Sequence, residues 1–435
     1  MKRLFYEELI DWKKNHMEKP LMLLGVNHCG KTYLIRKFIE KNFKNYKEIN
    51  LLEDEDVVNL YKQNINSEEK FIKLKTLLDF DIEASDSILF IDEIQVSEEL
   101  ISDLKFFQEN HENVNIICAG SLLGVKLKRF NKSFPVGKVW LKKMYPMNFK
   151  EFLIAFKEQK LIEEIEKCFN NNQNMVDPLH HKLNEYYKLY LITGGMPESV
   201  KNIIEMKKDI SKYNRDILSS IVESYFNDMQ KYVQNPKETL KIRSIYSSIS
   251  SQLSNNSKKF QYSKVQKGAK SREYELPLDW LLASNCAIKS NSVSKPSIPL
   301  EGYKNKDIFK IYLSDVGILS YQLRVNYSDI LLDRLDDYKG VIAENYVANE
   351  LISNGHNLYY WLSEGKAEID FLLYNEDGII PIEVKAGDNT QSKSLKVYMD
   401  KFNPPYAVRL STKNFGYNPK TKIKSIPLYA AFLLK

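Results

Sequence analysis

At roughly 150 residues per domain, a chain of 435 residues has the length of about three domains and can bury several cores. Hydrophobic residues make up 43% and charged residues 28%, which excludes a disordered, collagen-like or disulfide-scaffold chain. The 63 basic and 57 acidic residues leave a net charge of +6, which permits a nucleic-acid partner without arguing for one. Cys29, Cys118, Cys168 and Cys286 stand far apart with no CxxC pair, so neither a zinc site nor a disulfide framework is expected. The N-terminal segment MKRLFYEELIDWKK lacks an apolar h-region, and no run of 18 apolar residues occurs. The expectation is a cytoplasmic protein in a reducing compartment, with no membrane partner.

In chain order, residues 4–16 alternate apolar and charged positions at helical spacing. PLMLLG at 20–25, SILFID at 87–92 and VNIICAG at 114–120 read as short buried strands, with helical patterns at 31–43 and 98–110 between them. Strands alternating with helices predict a parallel α/β sheet covered on both faces. Residues 148–230 read as mostly helical, interrupted by TGGMPE at 193–198, whose glycine pair suits a bend. Residues 231–320 mix helical segments with a basic stretch and the run SKPSIPLEGY. A helix at 339–353 and strands at 357–362, 368–374 and 378–384 return the chain to α/β character, and Asp315 is expected to end a strand at a turn. FNNNQN at 169–174 reads as a loop.

Gly25-Val-Asn-His-Cys-Gly30-Lys31-Thr32 fits GxxxxGK[ST] between a predicted strand and a predicted helix, the context of a phosphate-binding P-loop. Gly25 and Gly30 let the backbone curl so that its N–H groups face phosphate oxygens, and the helix N-terminus adds a favourable dipole. Lys31 is expected on the β/γ-phosphates and the Thr32 hydroxyl on Mg²⁺. Asn27, His28, Cys29 and Tyr33 are the remaining residues expected to line the nucleotide. A second apolar strand ends in Asp92-Glu93, where ligands bind in open α/β sheets. Asp92 is expected to hold Mg²⁺ and Glu93 to polarise the attacking water. Ser121 is either a γ-phosphate sensor or a plain helix cap. Arg129, Arg215 and Arg243 are candidates for a hydrolytic arginine by residue type alone.

These motifs resemble a family of prokaryotic AAA-type P-loop ATPases whose C-terminal half has no assigned function. The resemblance rests on GVNHCGKTYL, ILFIDEIQ, AGSLLG, SFPVGKV at 133–139 and YPMNFKEFL at 145–153. It continues through TGGMPE, FKIYLSDVGIL at 309–319, AENYVANEL at 343–351 and PIEVKAG at 381–387. Two departures stand out. The P-loop has Asn27-His28-Cys29 where relatives usually carry Arg-Gln-Val, which leaves the phosphate cradle intact. Lys138 stands where many have arginine, and a lysine cannot copy a bidentate guanidinium.

Residues 258–272 carry Lys258, Lys259, Lys264, Lys267, Lys270 and Arg272 with no acid, interleaved with Phe260 and Tyr262. The family's middle region resembles a winged helix, and these cations could neutralise DNA phosphates or form a solvated helix face. Near the C-terminus, Glu383 and Lys385 face the same side of a strand, and a hairpin would bring Asp370 alongside. Two carboxylates and a lysine on one face suit a hard cation such as Mg²⁺, with Lys385 orienting or deprotonating water. Glu344, on the preceding helix, could complete the shell through a water. The same residues read equally as a strand ion pair beside an exposed acid. The pattern resembles the PD-(D/E)xK nuclease superfamily, with Glu344, Asp370, Glu383 and Lys385 in its four positions. Lys393, Lys396 and Lys401 on the following helix would contact phosphates or serve solubility.

The resulting expectation is an α/β multidomain protein. Residues 1–150 would form an AAA-type P-loop parallel sheet, 151–230 a helical lid, 231–320 a winged-helix module and 321–435 a restriction-endonuclease-like domain. It would bind and hydrolyse ATP with Mg²⁺ and bind DNA, with metal-dependent cleavage at the C-terminal site. Two other readings stay open, with the oligomeric state. One is an ATPase switch that binds a protein partner and keeps an inert nuclease-like scaffold. The other is a DNA-binding regulator that does not cleave.

Overall fold

In the computed structural model all residues are described except 112, 129–133, 136, 234, 256, 336–337, 364–366 and 388–391. The chain divides into two units, the first made of Met1–Tyr145 with Ala283–Asn285. There, α1 (Phe5–Asn15) leads into β1 (Leu21–Leu24), whose four apolar residues are all buried. Helix α2 (Lys31–Asn42) buries Leu34, Ile35, Phe38 and Ile39 along one face. It is followed by β2 (Asn45–Asn50), α3 (Glu55–Lys62) and α4 (Ser67–Leu78). Strand β3 (Ser87–Asp92), helix α5 (Glu98–Asn110) and strand β4 (Ile116–Gly120) come next, both strands buried throughout. Helix α6 (Leu123–Lys128) and strand β5 (Trp140–Lys143) complete the unit. The five strands form one parallel sheet in the order β2-β3-β4-β1-β5. The expected strands at 20–25, 87–92 and 114–120 are its three inner members. All five therefore end on the same edge of the sheet, where the candidate phosphate and acid residues lie.

The second unit comprises Pro146–Leu282 and Cys286–Lys435. It opens with α7 (Phe149–Ala155), closed at its start by a reciprocal capping box between Asn148 and Glu151. Then follow α8 (Gln159–Asn171), α9 (Asp177–Thr193), α10 (Pro197–Glu205), α11 (Asp216–Tyr232), α12 (Pro236–Leu253) and α13 (Ser271–Ala283). Strands β6 (Ala287–Val293) and β7 (Lys304–Leu313) form an antiparallel pair. After α14 (Val316–Gln322), α15 (Tyr327–Leu331) and α16 (Tyr338–Ser353) come β8 (Leu358–Leu362), β9 (Glu368–Asn375) and β10 (Gly378–Lys385). Helix α17 (Lys393–Phe402) and strands β11 (Ala407–Ser411), β12 (Gly416–Asn418) and β13 (Ile423–Pro427) follow. These strands build one mixed sheet in the order β12-β13-β11-β10-β9-β8-β6-β7.

The region 231–320, expected as a winged-helix module, holds α12, α13 and the β6–β7 pair. The pair continues the larger sheet, so the boundary expected at residue 320 marks no break in it. Asp315 caps α14 by accepting the Ile318 N–H at 3.1 Å and also accepts the Gly195 N–H at 2.7 Å. A Cβ on Gly194, at φ +66°, would lie 1.9 Å from Asp315 Oδ1. Gly194 of TGGMPE is therefore required by close approach to a buried carboxylate, and Gly195 by the Met147 carbonyl oxygen, 1.9 Å from where its Cβ would stand.

Helix α16 is buried along most of its length. The Asn345 side chain exchanges two hydrogen bonds with the Leu313 backbone, at 2.9 and 3.1 Å, and Asn349 adds a third at 2.8 Å. Its Tyr346 ring packs edge-on against Tyr187 and Tyr190 of α9 at 5.0 and 5.7 Å. Glu350, fully buried on the same helix, accepts the Phe149 N–H at 2.9 Å through Oε1, while Oε2 has no hydrogen-bond partner among the described residues. Burial pushes this carboxyl up to about 8, with Glu151 adding to the shift and the Phe149 N–H opposing it.

The folded chain thus keeps a proton on Glu350 that the unfolded chain has released above roughly pH 4.3. Stability contributed by this group is present at low pH and is lost as pH rises toward the folded value of about 8, by up to about 1.4 kcal/mol per pH unit. Glu350→Gln should flatten the fall in melting temperature between pH 6 and 9, by about 2–4 °C per kcal/mol. Parallel melting profiles of variant and wild type would contradict this assignment.

Candidate functional site

The P-loop runs from the end of β1 into the start of α2. Its backbone takes left-handed values at His28 (φ 65°) and Gly30 (φ 93°), so the segment curls back on itself. A Cβ on Gly25 would stand 2.4 Å from the Met144 carbonyl oxygen, so only glycine fits there. The buried Lys31 ammonium donates to the Gly25 and Val26 carbonyls at 2.9 and 3.1 Å, lying across the mouth of the loop. Gly30, at the N-cap of α2, has no side chain to cap the helix, which suits donation of the first-turn N–H groups to phosphate. Cys29 is buried with Sγ 3.8 Å from the Met144 carbonyl, whereas His28 and Tyr33 are exposed and Asn27 is half-buried. Asn27 Oδ1 accepts the His28 N–H at 2.9 Å and so stabilises the turn.

The Thr32 hydroxyl donates to Asp92 Oδ2 at 2.7 Å, and Asp92 Oδ1 accepts the Glu93 N–H at 3.0 Å. Thr32 and Asp92, both expected on Mg²⁺, are thus brought together. A hydroxyl and a carboxylate side by side at a helix start form an oxygen donor set that fits Mg²⁺ beside a phosphate. Glu93 sits in the left-handed region (φ 54°) directly after β3, and its Oε2 accepts a hydrogen bond from Gln95 Nε2. A Cβ on Gly120 would lie 2.0 Å from Gln95 Oε1, so the bare end of β4 makes room for the side chain that holds Glu93. Ser121 lies buried directly after β4.

The expected arginines do not resolve into a finger. Arg129 lies outside the described residues, as do residues 133 and 136 of the SFPVGKV segment. Lys138 pairs with Glu109 at 3.0 Å. In the second unit, Arg215 lies 4.4 Å over Tyr327 and donates to the Val325 carbonyl at 3.0 Å, and Arg243 lies 4.5 Å over Phe226. Both are held against aromatic rings.

The C-terminal constellation is brought together by β9 and β10. Their antiparallel register pairs Ile382 with Phe371 and so places Asp370 beside Glu383. Asp370 Oδ2 accepts the Val384 N–H at 2.8 Å. Glu383 Oε1 accepts from Lys385 Nζ at 2.7 Å and from the Ser392 hydroxyl at 2.9 Å, while the buried Oε2 has no hydrogen-bond partner among the described residues. Burial pushes the Asp370 carboxyl upward, with Glu344 and Glu383 adding to the shift. Burial would lower Lys385, but Glu383 outweighs it and holds the ammonium raised. Two neighbouring carboxyls, one with a buried oxygen that no described residue satisfies, supply the hard oxygen donors a divalent cation would need at Asp370 and Glu383.

Glu344 does not complete that shell. Its Oε1 accepts from Lys310 Nζ at 2.7 Å and from the Tyr312 hydroxyl at 2.5 Å, and Oε2 is bonded to Lys258 Nζ. Among the described residues no group of three His, Cys, Asp or Glu side chains is placed to hold a metal ion. Burial would raise the Glu344 carboxyl, but the two ammonium groups hold it well below the usual range. Lys310 is 0% exposed, lies 2.5 Å from Glu368 Oε1 and sits 4.9 Å over the Tyr360 ring. Lys258, expected on DNA phosphates, is therefore an internal ion-pair partner, because a carboxylate in a buried site must be neutralised. Lys264, Lys267, Lys270 and Arg272 are exposed, as are Lys393, Lys396 and Lys401.

Sequence reasoning assigns no role to Arg3, Gln95, Lys310, Tyr312 or Glu368: Gln95 ends ILFIDEIQ and Lys310 and Tyr312 lie in FKIYLSDVGIL, but nothing in those runs singles them out. Arg3 is 5% exposed; its guanidinium donates to the Cys29 carbonyl at 2.6 Å and the Tyr145 carbonyl at 2.7 Å. It thereby fastens the P-loop to the chain after β5. Loss of a charged hydrogen bond of about 1.5–3 kcal/mol should loosen the cradle. Arg3→Ala should weaken binding of an ATP analogue about tenfold or more, read by calorimetry, with the far-ultraviolet circular dichroism unchanged. Unaltered affinity would show that the loop holds its shape without this clamp.

Residues 17–153 match the family model described as "AAA domain". Residues 184–329 and 339–430 match two models described as domains of unknown function, DUF8612 and DUF4143. The chain is 27% identical over 396 residues to the uncharacterized protein MJ1544 of Methanocaldococcus jannaschii, covering 87% of this chain and 78% of that one. Among solved structures it matches a Walker-type ATPase of Pyrococcus abyssi, with TM-score 0.43 and 14% identity over 74% of this chain and 94% of that one. It also matches the ORC2 protein of Aeropyrum pernix, with TM-score 0.39 and 12% identity over 80% and 95%. The parallel sheet, the P-loop after β1 and the acid pair after β3 fit a P-loop ATPase, in line with the match of residues 17–153 to the AAA domain model.

Proposed function

We propose that the chain is a Mg²⁺-dependent ATPase that binds DNA through its second unit and cleaves it at Asp370, Glu383 and Lys385. The observation that carries the C-terminal half of this reading is the Lys385 ammonium at 2.7 Å from Glu383, with Asp370 alongside in the neighbouring strand. In the ATPase domain, Lys31 would hold the β/γ-phosphates, Thr32 and Asp92 would hold Mg²⁺, and Glu93 would orient the attacking water. The Gln95 contact would keep the Glu93 carboxylate from swinging away. A divalent cation at Asp370 and Glu383 would supply Lewis-acid polarisation of a phosphodiester. Lys385 would position the attacking water, and the exposed lysines of 264–270 and of α17 would bind backbone phosphates. Buried free thiols at all four cysteines suit a reducing, cytoplasmic home.

A second reading is favoured by one observation. Lys310 and Lys258 already neutralise Glu344, so the second unit could bind DNA or a protein partner as a scaffold without cutting. Incubation of plasmid and single-stranded DNA with Mg²⁺ or Mn²⁺, with and without ATP, separates the readings. Wild type should cut and Lys385→Ala should not, while Lys31→Ala shows whether ATP gates the cut. Intact DNA with a steep salt dependence of binding would establish a non-cleaving binder, since each phosphate contact contributes roughly 0.9 to the slope on duplex DNA. Intact DNA with little salt dependence would favour a protein partner.

A further inference from the structure

Lys258 is held in an unusual way. Its backbone lies in the left-handed region at φ 47°, a conformation that a residue with a Cβ seldom adopts. Such a conformation persists only where the surroundings impose it. The Lys258 N–H donates to the Asn255 carbonyl at 3.0 Å, closing a turn after α12. Two residues on, the Phe260 N–H donates to the Phe309 carbonyl at 2.9 Å, and the two rings stack at 5.7 Å. The Gln261 N–H donates to Gln252 Oε1 at 2.7 Å. The backbone on both sides of Lys258 is thus fastened to α12 and β7, and the side chain is aimed inward at Glu344 Oε2.

The two ammonium groups on Glu344 differ. Lys310, on the edge strand β7, is nevertheless wholly buried and is shared with Glu368 at 2.5 Å, so its ammonium is closed off from water. Lys258 keeps 24% of its side-chain surface exposed, and its flexible stem can turn the ammonium out to solvent without moving the fastened backbone. Glu344, Glu368, Asp370 and Glu383 are matched by Lys258, Lys310 and Lys385, and the field of Asp370 acts on Lys258 as well as that of Glu344. With Lys258 turned outward, Glu344 Oε2 loses its ammonium and carboxyls outnumber the remaining lysines, while Glu383 Oε2 has no hydrogen-bond partner among the described residues.

We infer that the Lys258 ammonium is a built-in, displaceable cation that competes with a divalent metal ion for the Glu344–Asp370–Glu383 carboxylate cluster. This rests on the reading of Asp370 and Glu383 as a cation site. It accounts for Glu344 being a motif residue that carries lysines instead of joining a metal shell. It also makes the start of the basic segment part of the C-terminal site, so the site's metal affinity is set by a residue 86 positions earlier in the chain.

Mn²⁺ binding to the full nucleotide-free chain, read by electron paramagnetic resonance of the free ion, tests this directly. Lys258→Met should bind Mn²⁺ about tenfold or more tightly than wild type, as expected when one competing charge leaves an anionic site. Lys258→Arg should stay near wild type, because it keeps the charge. The gain should vanish when Glu383→Gln is combined with Lys258→Met. Should circular dichroism show Lys258→Met unfolded, Lys258→Gln carries the same comparison. Equal affinity of wild type and the neutral variant, with both weakened by Glu383→Gln, would overturn the competition while leaving the cation site standing. No Mn²⁺ binding by either protein would overturn the competition and the cation-site reading together.

Discussion

The hydrogen bond from the Thr32 hydroxyl to Asp92, 2.7 Å long, is the contact on which the nucleotide site depends. Thr32 follows β1 and Asp92 ends β3, and these strands are not neighbours, since β4 lies between them. The two side chains can meet only because all three strands are parallel and end on one edge of the sheet. Reversing any inner strand would send its terminal residue to the far edge. The rest of the site is arranged around that edge: Gly25 and Gly30 shape the loop, Arg3 fastens it, and Gln95 holds Glu93 over the bare end of β4.

The second unit meets a different constraint, that of buried charge. An ammonium with no exposed surface, such as Lys310, is tolerable only when carboxylates surround it. Glu344 and Glu368 provide that, and the Tyr312 hydroxyl satisfies a further acceptor position on Glu344. Asp370 and Glu383 stand near enough to feel the Glu344 carboxylate, and one oxygen of Glu383 lacks a hydrogen-bond donor among the described residues. A buried polar atom without a partner is expensive, so that oxygen is the feature the proposed cation would satisfy.

What the sequence discloses follows what each element needs to be stable. The inner strands β1, β3 and β4 are buried on both faces and read as apolar runs, and the P-loop and Asp92-Glu93 follow from where those runs end. The edge strands β2 (NYKEIN) and β5 (WLKK) escape notice, because an edge strand need not be apolar and its pairing is a tertiary fact. In the second unit the β9–β10 hairpin and its Asp370, Glu383 and Lys385 are legible from alternation and spacing. The lysines on Glu344 are not, since Lys258 and Lys310 lie 86 and 34 positions away and meet it only through the fold. A basic run gives no sign that its first lysine is turned inward while the others stay in water. Arg3 is hidden for the same reason: its partners are backbone carbonyls 26 and 142 residues distant.

The proposed Mg²⁺ role of Thr32 and Asp92 is open to titration of wild type and Asp92→Asn with a non-hydrolysable ATP analogue, in Mg²⁺ and in EDTA. Mg²⁺ should tighten binding to wild type about tenfold or more, and Asp92→Asn should keep the metal-free affinity but lose this gain. Equal affinity of wild type with and without Mg²⁺, or an Asp92→Asn variant that responds to Mg²⁺ as wild type does, would show that these two residues hold no metal.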